Sequence, residues 1–282
     1  MTAKKKSGPP SAASTRKGSS AGRKGVKSPL FVNSLEKGLR VLRTFDQHNR
    51  TLRLNDIATM TGLGKSAAQR FVHSLHTLGY LRKDEATKQY SLSPRVLELG
   101  FTYLSTDPLV ERSMPYLREC NKRCEESVNL SELNETEIIY VARVPGRHVL
   151  SVDVLLGTRF PAYCTAPGRA MLAFLPDDQV KDILDRSDLC ALTPHTITDR
   201  RAIMDRLAKV RSVGYELAEQ EVYIGDVSVA APVLDYSGRA VAAVNIGVPS
   251  PRWSPARVER DLAPIVIETA RAISLTEGGG GP

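Results

Sequence analysis

The sequence predicts a multidomain α/β mixture: an N-terminal winged helix-turn-helix, a linker helix and a C-terminal α+β domain. Three observations carry that expectation. Between residues 31 and 93, three stretches of helical periodicity are followed by two alternating segments around a charged turn. From residue 108 onward, apolar alternating segments are interspersed with amphipathic ones, the pattern of a mixed domain with a largely antiparallel sheet. Charge follows the same divisions. Of the formal +8 on 282 residues, residues 1–30 hold eight Lys/Arg and no acid, and residues 31–93 hold ten Lys/Arg against five Asp/Glu, so the remainder is net acidic.

The divisions expected are a basic disordered tail at 1–30, a small domain at 31–93, a linker helix at 94–107, a larger domain at 108–276 and a tail at 277–282. The Ser, Gly, Ala and Lys of the first segment cannot build a core. In "SLEKGLRVLRTFD", Leu35, Leu39, Leu42 and Phe45 recur at helical spacing, with Ser34 placed to cap. "LNDIATMTG" continues with Asn55 as a cap, Ile57, Ala58 and Met60 inward and Gly62 as the stop. "KSAAQRFVHSLHTLGY" puts Ala68, Phe71, Leu75 and Leu78 on one face and ends at Gly79. "YLRKDEATKQYSLS" reads as a hairpin.

The opposite face of that third helix carries Lys65, Ser66, Gln69, Arg70 and His73, cations and hydrogen-bonding groups of the kind that read phosphates and base edges. A winged helix-turn-helix lays this helix in the major groove, and Lys83 and Lys88 at the hairpin tip are within reach of the backbone or minor groove. "GLGKS" also ends as a nucleotide phosphate loop does. Such a loop needs a glycine at position 59, which is Thr59, and a preceding strand, where "DIATM" has helical periodicity. Lys65 and Ser66 at a helix start instead suit a DNA phosphate.

"SPRVLELGFTYLST" is a further amphipathic helix leading out of the small domain, and Asp107–Pro108 marks the boundary. "PLVERSMPYLRECNKRCEES" is helical, with Pro115 predicting an interruption or kink. Strands are expected at "SVNLSEL", "EIIYVARV" and "HVLSVDVL", then a helix opening at Pro167, two helices at "PDDQVKDIL" and "DRRAIMDRLAKVRSVG", strands at "YELAEQE", "DVSVAAPVLD" and "RAVAAVNIGVP", and one closing helix in "SPARVERDLAPIVIETARAIS".

Two places in the larger domain attract a ligand reading. In "YCTAPGRAM", Thr165 can cap, Pro167 sits at the first helical position, Gly168 removes bulk, and the backbone N–H groups between Ala166 and Arg169 start a helix that suits a carboxylate, with Arg159 and Arg169 available for charge-assisted bonds. An ordinary strand-to-helix turn is the competing reading. In the last two strands, Ser228 and Asn245 are polar among apolar or small neighbours. An unsatisfied buried polar group costs about 1–3 kcal/mol, so each needs a ligand, a water or a carbonyl.

Composition sets the exclusions. No apolar run approaches a membrane span, and the N-terminus lacks the apolar region of a secretory signal. The cysteines Cys120, Cys124, Cys164 and Cys190 form neither a disulfide framework nor, with any His, a zinc site. There is no G-x-S-x-G, H-E-x-x-H or G-x-G-x-x-G, and Cys164 has no identifiable His partner. No catalytic residue, metal or cofactor is expected. The runner-up is a ligand-sensing protein-interaction module without DNA binding.

"LNDIATMTGLGKSAAQRFVHSLHTLGYL", "YSLSPRVLELG", "GTRFPAYCTAPGRAMLA" and "VAAPVLDYSGRAVAAVNIGVP" together resemble the isocitrate-lyase-regulator (IclR) family of bacterial transcription factors. "YVARVPGRHVLSVDVLLGTRFPAYCTAPGRAMLA" and "LTPHTITD" look most like the branch regulating protocatechuate, hydroxybenzoate and β-ketoadipate catabolism. The resemblance spans about residues 31–275 and implies a GAF-like effector-binding domain. It also implies a cytoplasmic regulator, nucleoid-associated when DNA-bound, that pairs into homodimers through its N-terminal part and assembles further into homotetramers. Its partners would be a double-stranded DNA operator and a small organic acid, an aromatic carboxylate or ring-cleavage product. Carried over by matching motif, Ala166, Pro167, Gly168, Ser228, Asn245 and Gly247 would line the effector site. Gly247 stands where relatives have a hydroxyl, and Gly64 where they have a Ser or Thr cap.

Overall fold

The structure is a computed structural model and describes residues 28–147 and 154–277. The basic N-terminal tail, most of the strand expected at "HVLSVDVL" and the last five residues lie outside the described residues.

The N-terminal part contains α1 (Asn33–Leu42), α2 (Leu54–Thr61), α3 (Lys65–Thr77), β1 (Leu81–Lys83) and β2 (Tyr90–Leu92). Val41, Phe45, Leu52, Ile57, Val72 and Leu81 form its core. β1 and β2 pair antiparallel, and Leu52 adds a bridge to Tyr90 through two backbone hydrogen bonds of 3.0 and 2.8 Å. Gly62 and Gly79 both adopt positive φ, as sharp exits from α2 and α3 require.

Two helix starts differ from expectation. Val32, with no side-chain bond, occupies the N-cap of α1 in place of Ser34. At α2, Arg53 takes the cap position, and Asp56 accepts from its N–H at 2.9 Å, doing the work expected of Asn55. The burial pattern also shifts. Val41 and Val72 are the inward anchors of α1 and α3, whereas Leu35, Leu39 and Leu78 face solvent.

α4 (Val96–Thr106) leads away from the small domain and has no buried residue. Asp107 ends it and caps α5 (Pro108–Cys124), accepting from Leu109 and Val110 N–H. Pro115 does not interrupt α5. The face Val110, Ser113, Leu117, Cys120 and Cys124 is buried, and this packing outweighs one missing backbone hydrogen bond.

The rest follows as β3 (Ser127–Asn134), β4 (Glu137–Val144), β5 (Arg159–Pro161), a single 3-10 turn at Ala162–Cys164, α6 (Ala166–Leu172), α7 (Asp177–Arg186), α8 (Arg200–Val213), β6 (Glu216–Glu219), β7 (Asp226–Leu234), β8 (Ala240–Pro249), α9 (Pro255–Asp261) and α10 (Ala263–Glu277). The expected single closing helix is thus two. The break falls at Leu262, two residues before Pro264, which cannot donate into a continuing helix.

Among the described residues the larger sheet has six strands in the order β5-β4-β3-β8-β7-β6, all antiparallel. Alternation gives it two different faces. Val128, Leu130, Val227, Val229, Val244, Ile246 and Val248 pack against α5 and α10. The other face meets α6, α7 and α8 through Ala230, Ala243, Ile138 and Tyr140, and it carries the strands' polar residues. No helix among the described residues is long and apolar enough to cross a membrane.

Candidate DNA-reading face and effector site

α3 begins at Gly64, which offers no side-chain cap, and its first turn contains no acid. The N–H groups of Lys65, Ser66 and Ala67 precede the first intrahelical bond, from Ala68 N to Gly64 O. They therefore face outward with the positive end of the helix dipole. Lys65, Ser66, Gln69, Arg70 and His73 are all exposed and lie along this one helix, opposite buried Ala68 and Val72.

Lys83 is set apart from them. Glu85 accepts from Lys83 Nζ at 2.8 and 3.0 Å and from Lys88 Nζ at 2.9 Å. Hydrogen bonds from Lys83 and then Lys88 hold the Glu85 carboxyl down at about 2, so it is ionised throughout the neutral range. The hairpin tip is therefore close to charge-balanced, and its lysines reach outward only by leaving Glu85.

In the larger domain the residues expected at the α6 start separate into different roles. Thr165 caps α6, accepting from Gly168 N at 3.2 Å, while Arg169 N bonds Thr165 O at 3.0 Å. Pro167 has no N–H. With the Gly168 and Arg169 N–H groups taken, this turn is a poor carboxylate cradle. Gly168 serves packing: a Cβ there would lie 2.2 Å from Ala162 O.

Neither arginine is available to a ligand. Arg169 is fully buried. Its Nε donates to Glu216 at 3.1 Å and its Nη1 to Glu221 at 3.0 Å, and Nη2 also meets Glu221. Burial disfavours its charge, yet Glu221 and Glu216 together raise its pKa above the usual arginine value. Arg206 completes the group through Glu216 at 2.5 Å. Arg159 sits on edge strand β5, bonded to Glu137 at 2.8 Å and Asn134 at 3.0 Å. Cys164 is buried, and desolvation pushes its thiol up to about 12, which keeps it protonated and unreactive at neutral pH.

Ser228, Asn245 and Gly247 do come together, on the polar face of the sheet. Cross-strand register arranges this face in rows: Ser127–Gly247–Ser228, then Asn129–Asn245–Ala230, then Ser131–Ala243–Pro232. Asn245 Nδ2 donates to Ser228 Oγ at 3.1 Å. Among the described residues, Asn245 Oδ1, Asn129 Oδ1 and Ser131 Oγ are buried without a hydrogen-bond partner. Whichever way round each amide lies, one end remains open.

Above this floor there is room. Gly247 is in β8, between β3 and β7, yet a Cβ added to it would meet no atom of the described residues within 4 Å. The side of the floor is aromatic: Tyr140 and Phe160 meet edge to face at 6.1 Å, and Phe160 and Tyr223 at 5.7 Å. Arg143, opposite Asn129 on β4, reaches Ser127 Oγ at 3.4 Å and Val154 O at 2.8 Å. Asp226 begins β7 on the same face as Ser228, and its Oδ1 is also buried without a partner. Burial pushes its carboxyl up to about 7. Burial also raises the Tyr140 phenol.

Sequence reasoning missed Asn129, Ser131, Tyr140, Arg143 and Asp226. The alternation of "SVNLS", polar at 127, 129 and 131, was the available signal.

Comparison with known proteins decides the family. Residues 101–275 match the family model described as bacterial transcriptional regulator IclR C-terminal, and residues 34–85 match the IclR helix-turn-helix domain. The chain belongs to the IclR family. It is a DNA-binding transcriptional regulator with a C-terminal effector domain, and its relatives are regulators of transcription rather than enzymes. The Pca regulon regulatory protein of Pseudomonas putida is 36% identical over 244 residues, 86% of this chain and 83% of its own length. The p-hydroxybenzoate hydroxylase transcriptional activator of Acinetobacter baylyi is 30% identical over 88% of this chain and 93% of its own. These matches put this IclR-family chain in the protocatechuate and hydroxybenzoate branch. Among solved structures, a transcriptional regulator of Rhodococcus sp. RHA1 aligns with TM-score 0.74 and 41% identity, over 87% of this chain and 98% of that one.

Proposed function

We propose that this regulator's operator binding is switched by a small aromatic carboxylate seated on the polar sheet face above Gly247. One observation carries the reading: among the described residues, open space lies over the middle of a sheet beside buried oxygens of Asn129, Ser131 and Asn245 that have no partner. Each such atom costs about 1–3 kcal/mol while unpaired; the Ser131 O–H, and each amide turned over so that its Nδ2 faces the space, donate to a carboxylate and recover that cost. The aromatic edge of Tyr140, Phe160 and Tyr223 suits a flat ring. The Acinetobacter baylyi relative, a p-hydroxybenzoate hydroxylase transcriptional activator, supports an effector from aromatic catabolism. Ser228, Asn245 and Gly247 keep the effector role given them, with Asn129 and Ser131 added. Arg159, Pro167, Gly168 and Arg169 act as structure around the site, and Ala166 contributes at most one donor.

In the small domain, Lys65, Ser66, Gln69, Arg70 and His73 contact the operator, and Lys83 joins them when Glu85 releases it. The working divisions are the DNA-binding part at 31–93, the linker helix at 94–107 and the effector domain at 108–276, in a cytoplasmic protein. The chain acts as a homodimer through its N-terminal part. Leu30, Phe31, Val32, Leu35 and Leu39, with Leu97, Leu99 and Phe101 on α4, are large apolar side chains left exposed in the single chain. Fully burying each one stabilises by about 1.5–3 kcal/mol, a sufficient drive for pairing.

The test is calorimetric titration of the full-length protein with benzoate, 4-hydroxybenzoate and 3,4-dihydroxybenzoate, repeated on Asn245→Leu, alongside an operator-release assay. Binding that Asn245→Leu weakens, and that alters operator affinity, is the expected result. Absence of binding by all three acids rejects the aromatic effector.

A further inference from the structure

We propose that Asp226 makes this site selective for a hydroxylated aromatic acid, its carboxylate accepting a hydrogen bond from a ring hydroxyl at the end opposite the acid group. The inference rests on the aromatic-carboxylate reading above and assigns the second end of the ligand.

The geometry is set by the β7–β8–β3 register. Asp226, Ser228 and Ala230 are alternate residues of β7, so all three point to the same face. Ser228 is paired with Gly247, and Ala230 with Asn245, which in turn faces Asn129. At strand rise, the Asn245–Asn129 row is about 13 Å along from Asp226, with the open ground over Gly247 midway. That interval accommodates one benzene ring with a hydrogen bond at each end.

The two ends differ in chemistry. At the Asn129, Asn245 and Ser131 end, the Ser131 hydroxyl has an O–H to give, and each amide, turned over so that Nδ2 takes the place of its unpaired Oδ1 (Asn245 then accepting from Ser228 Oγ), supplies an N–H to a carboxylate. The Asp226 end is an acceptor when ionised. Its Oδ1 is shut off from solvent and meets no donor among the described residues. A buried carboxylate without a donor is costly and persists where function requires it. An unsubstituted ring leaves it unpaired. A ring hydroxyl satisfies it, and its charge turns a ligand's own carboxylate toward the other end. A site built to bond a hydroxyl discriminates strongly against the analogue lacking one, because its polar group is then left bare.

The experiment is titration calorimetry on the full chain with benzoate and 4-hydroxybenzoate, using wild type, Asp226→Ala, Asp226→Asn and Asn245→Leu. Wild type is expected to prefer 4-hydroxybenzoate by about tenfold or more, the worth of one hydrogen bond to a charged group. In Asp226→Ala that ratio falls to about one and benzoate binds more tightly, since its carboxylate loses a like-charged neighbour. Asp226→Asn, which keeps an acceptor but not the charge, gives an intermediate ratio. A wild type that does not discriminate, or an Asp226→Ala protein that keeps the full preference, overturns the inference. If both acids bind, Asn245→Leu weakens both and Asp226→Ala leaves the ratio intact, the role of Asp226 fails while the effector site stands. If neither these two acids nor 3,4-dihydroxybenzoate binds wild type, both readings fail together.

Discussion

Replacing Gly247 with valine tests the open ground directly. Gly247 is in a central strand at a backbone conformation any residue adopts, and its missing Cβ would touch nothing within 4 Å. The substitution therefore introduces no clash in the ligand-free protein. It lowers the conformational entropy of the unfolded chain, worth about 0.4–1 kcal/mol, and supplies a β-branched residue to a strand. Ligand-free stability is expected to rise by about 1 kcal/mol, or about 2–4 °C in melting temperature for a domain of this size. Effector binding is expected to move the other way. Three carbons now occupy the space a ring needs, and forcing atoms into filled space costs about 1–3 kcal/mol, so the dissociation constant rises by about tenfold to a hundredfold. Differential scanning calorimetry with and without 4-hydroxybenzoate measures both effects on one sample. A ligand-free melting point several degrees lower would show that the space is filled. An unchanged ligand-induced shift would show that the ring binds elsewhere. Either result refutes the reasoning.

Three further outcomes follow from the same geometry. Arg70→Ala removes an exposed cation from the outer face of α3; specific operator affinity is expected to fall by about tenfold to a hundredfold with effector titration unchanged, as measured by fluorescence anisotropy on a labelled duplex. Glu221→Ala leaves the fully buried Arg169 with only Glu216 as an acid partner and takes the acceptor from Ile197 N; urea unfolding is expected to show a loss of about 3–5 kcal/mol, and a loss below about 1 kcal/mol would mean that the group relaxes. Asp226 has its carboxyl raised by burial from 3.8 to about 7, so the folded state binds its proton more tightly than the unfolded chain does, and its contribution to stability, complete below pH 4, is lost as pH climbs through 7. Asp226→Asn removes that loss, and at pH 8 the variant is expected to be more stable than wild type by up to about 4 kcal/mol, with the difference vanishing near pH 4; equal melting points at pH 8 would contradict it.

Much of this protein was determined locally. Hydrophobic period set α2, α3, α7 and α8 and the strands β3, β4, β7 and β8, because alternation and 3.6-residue spacing depend only on which face must be buried. Gly62 and Gly79 ended their helices as expected, since positive φ is a property of the residue itself. Thr165 capped α6 for the same local reason. The exposed polar face of α3 followed once its buried face was known. Tertiary structure decided the matters in which distant segments compete. Pro115 stayed helical because α5 has a core to lie on, and the closing helix split at Leu262. Arg169 and Arg159 looked available to an acid in sequence, but Glu216 and Glu221 come from 47 and 52 residues away and claim the first, while Glu137 and Asn134 claim the second. The proposed effector site is of the same kind. Ser228 and Asn245 were visible as polar residues in apolar strands. Only register showed that Asn129, Ser131 and Asp226 share their face, and only packing left Gly247 uncovered, because pairing between strands far apart in the chain fixes which side chains meet.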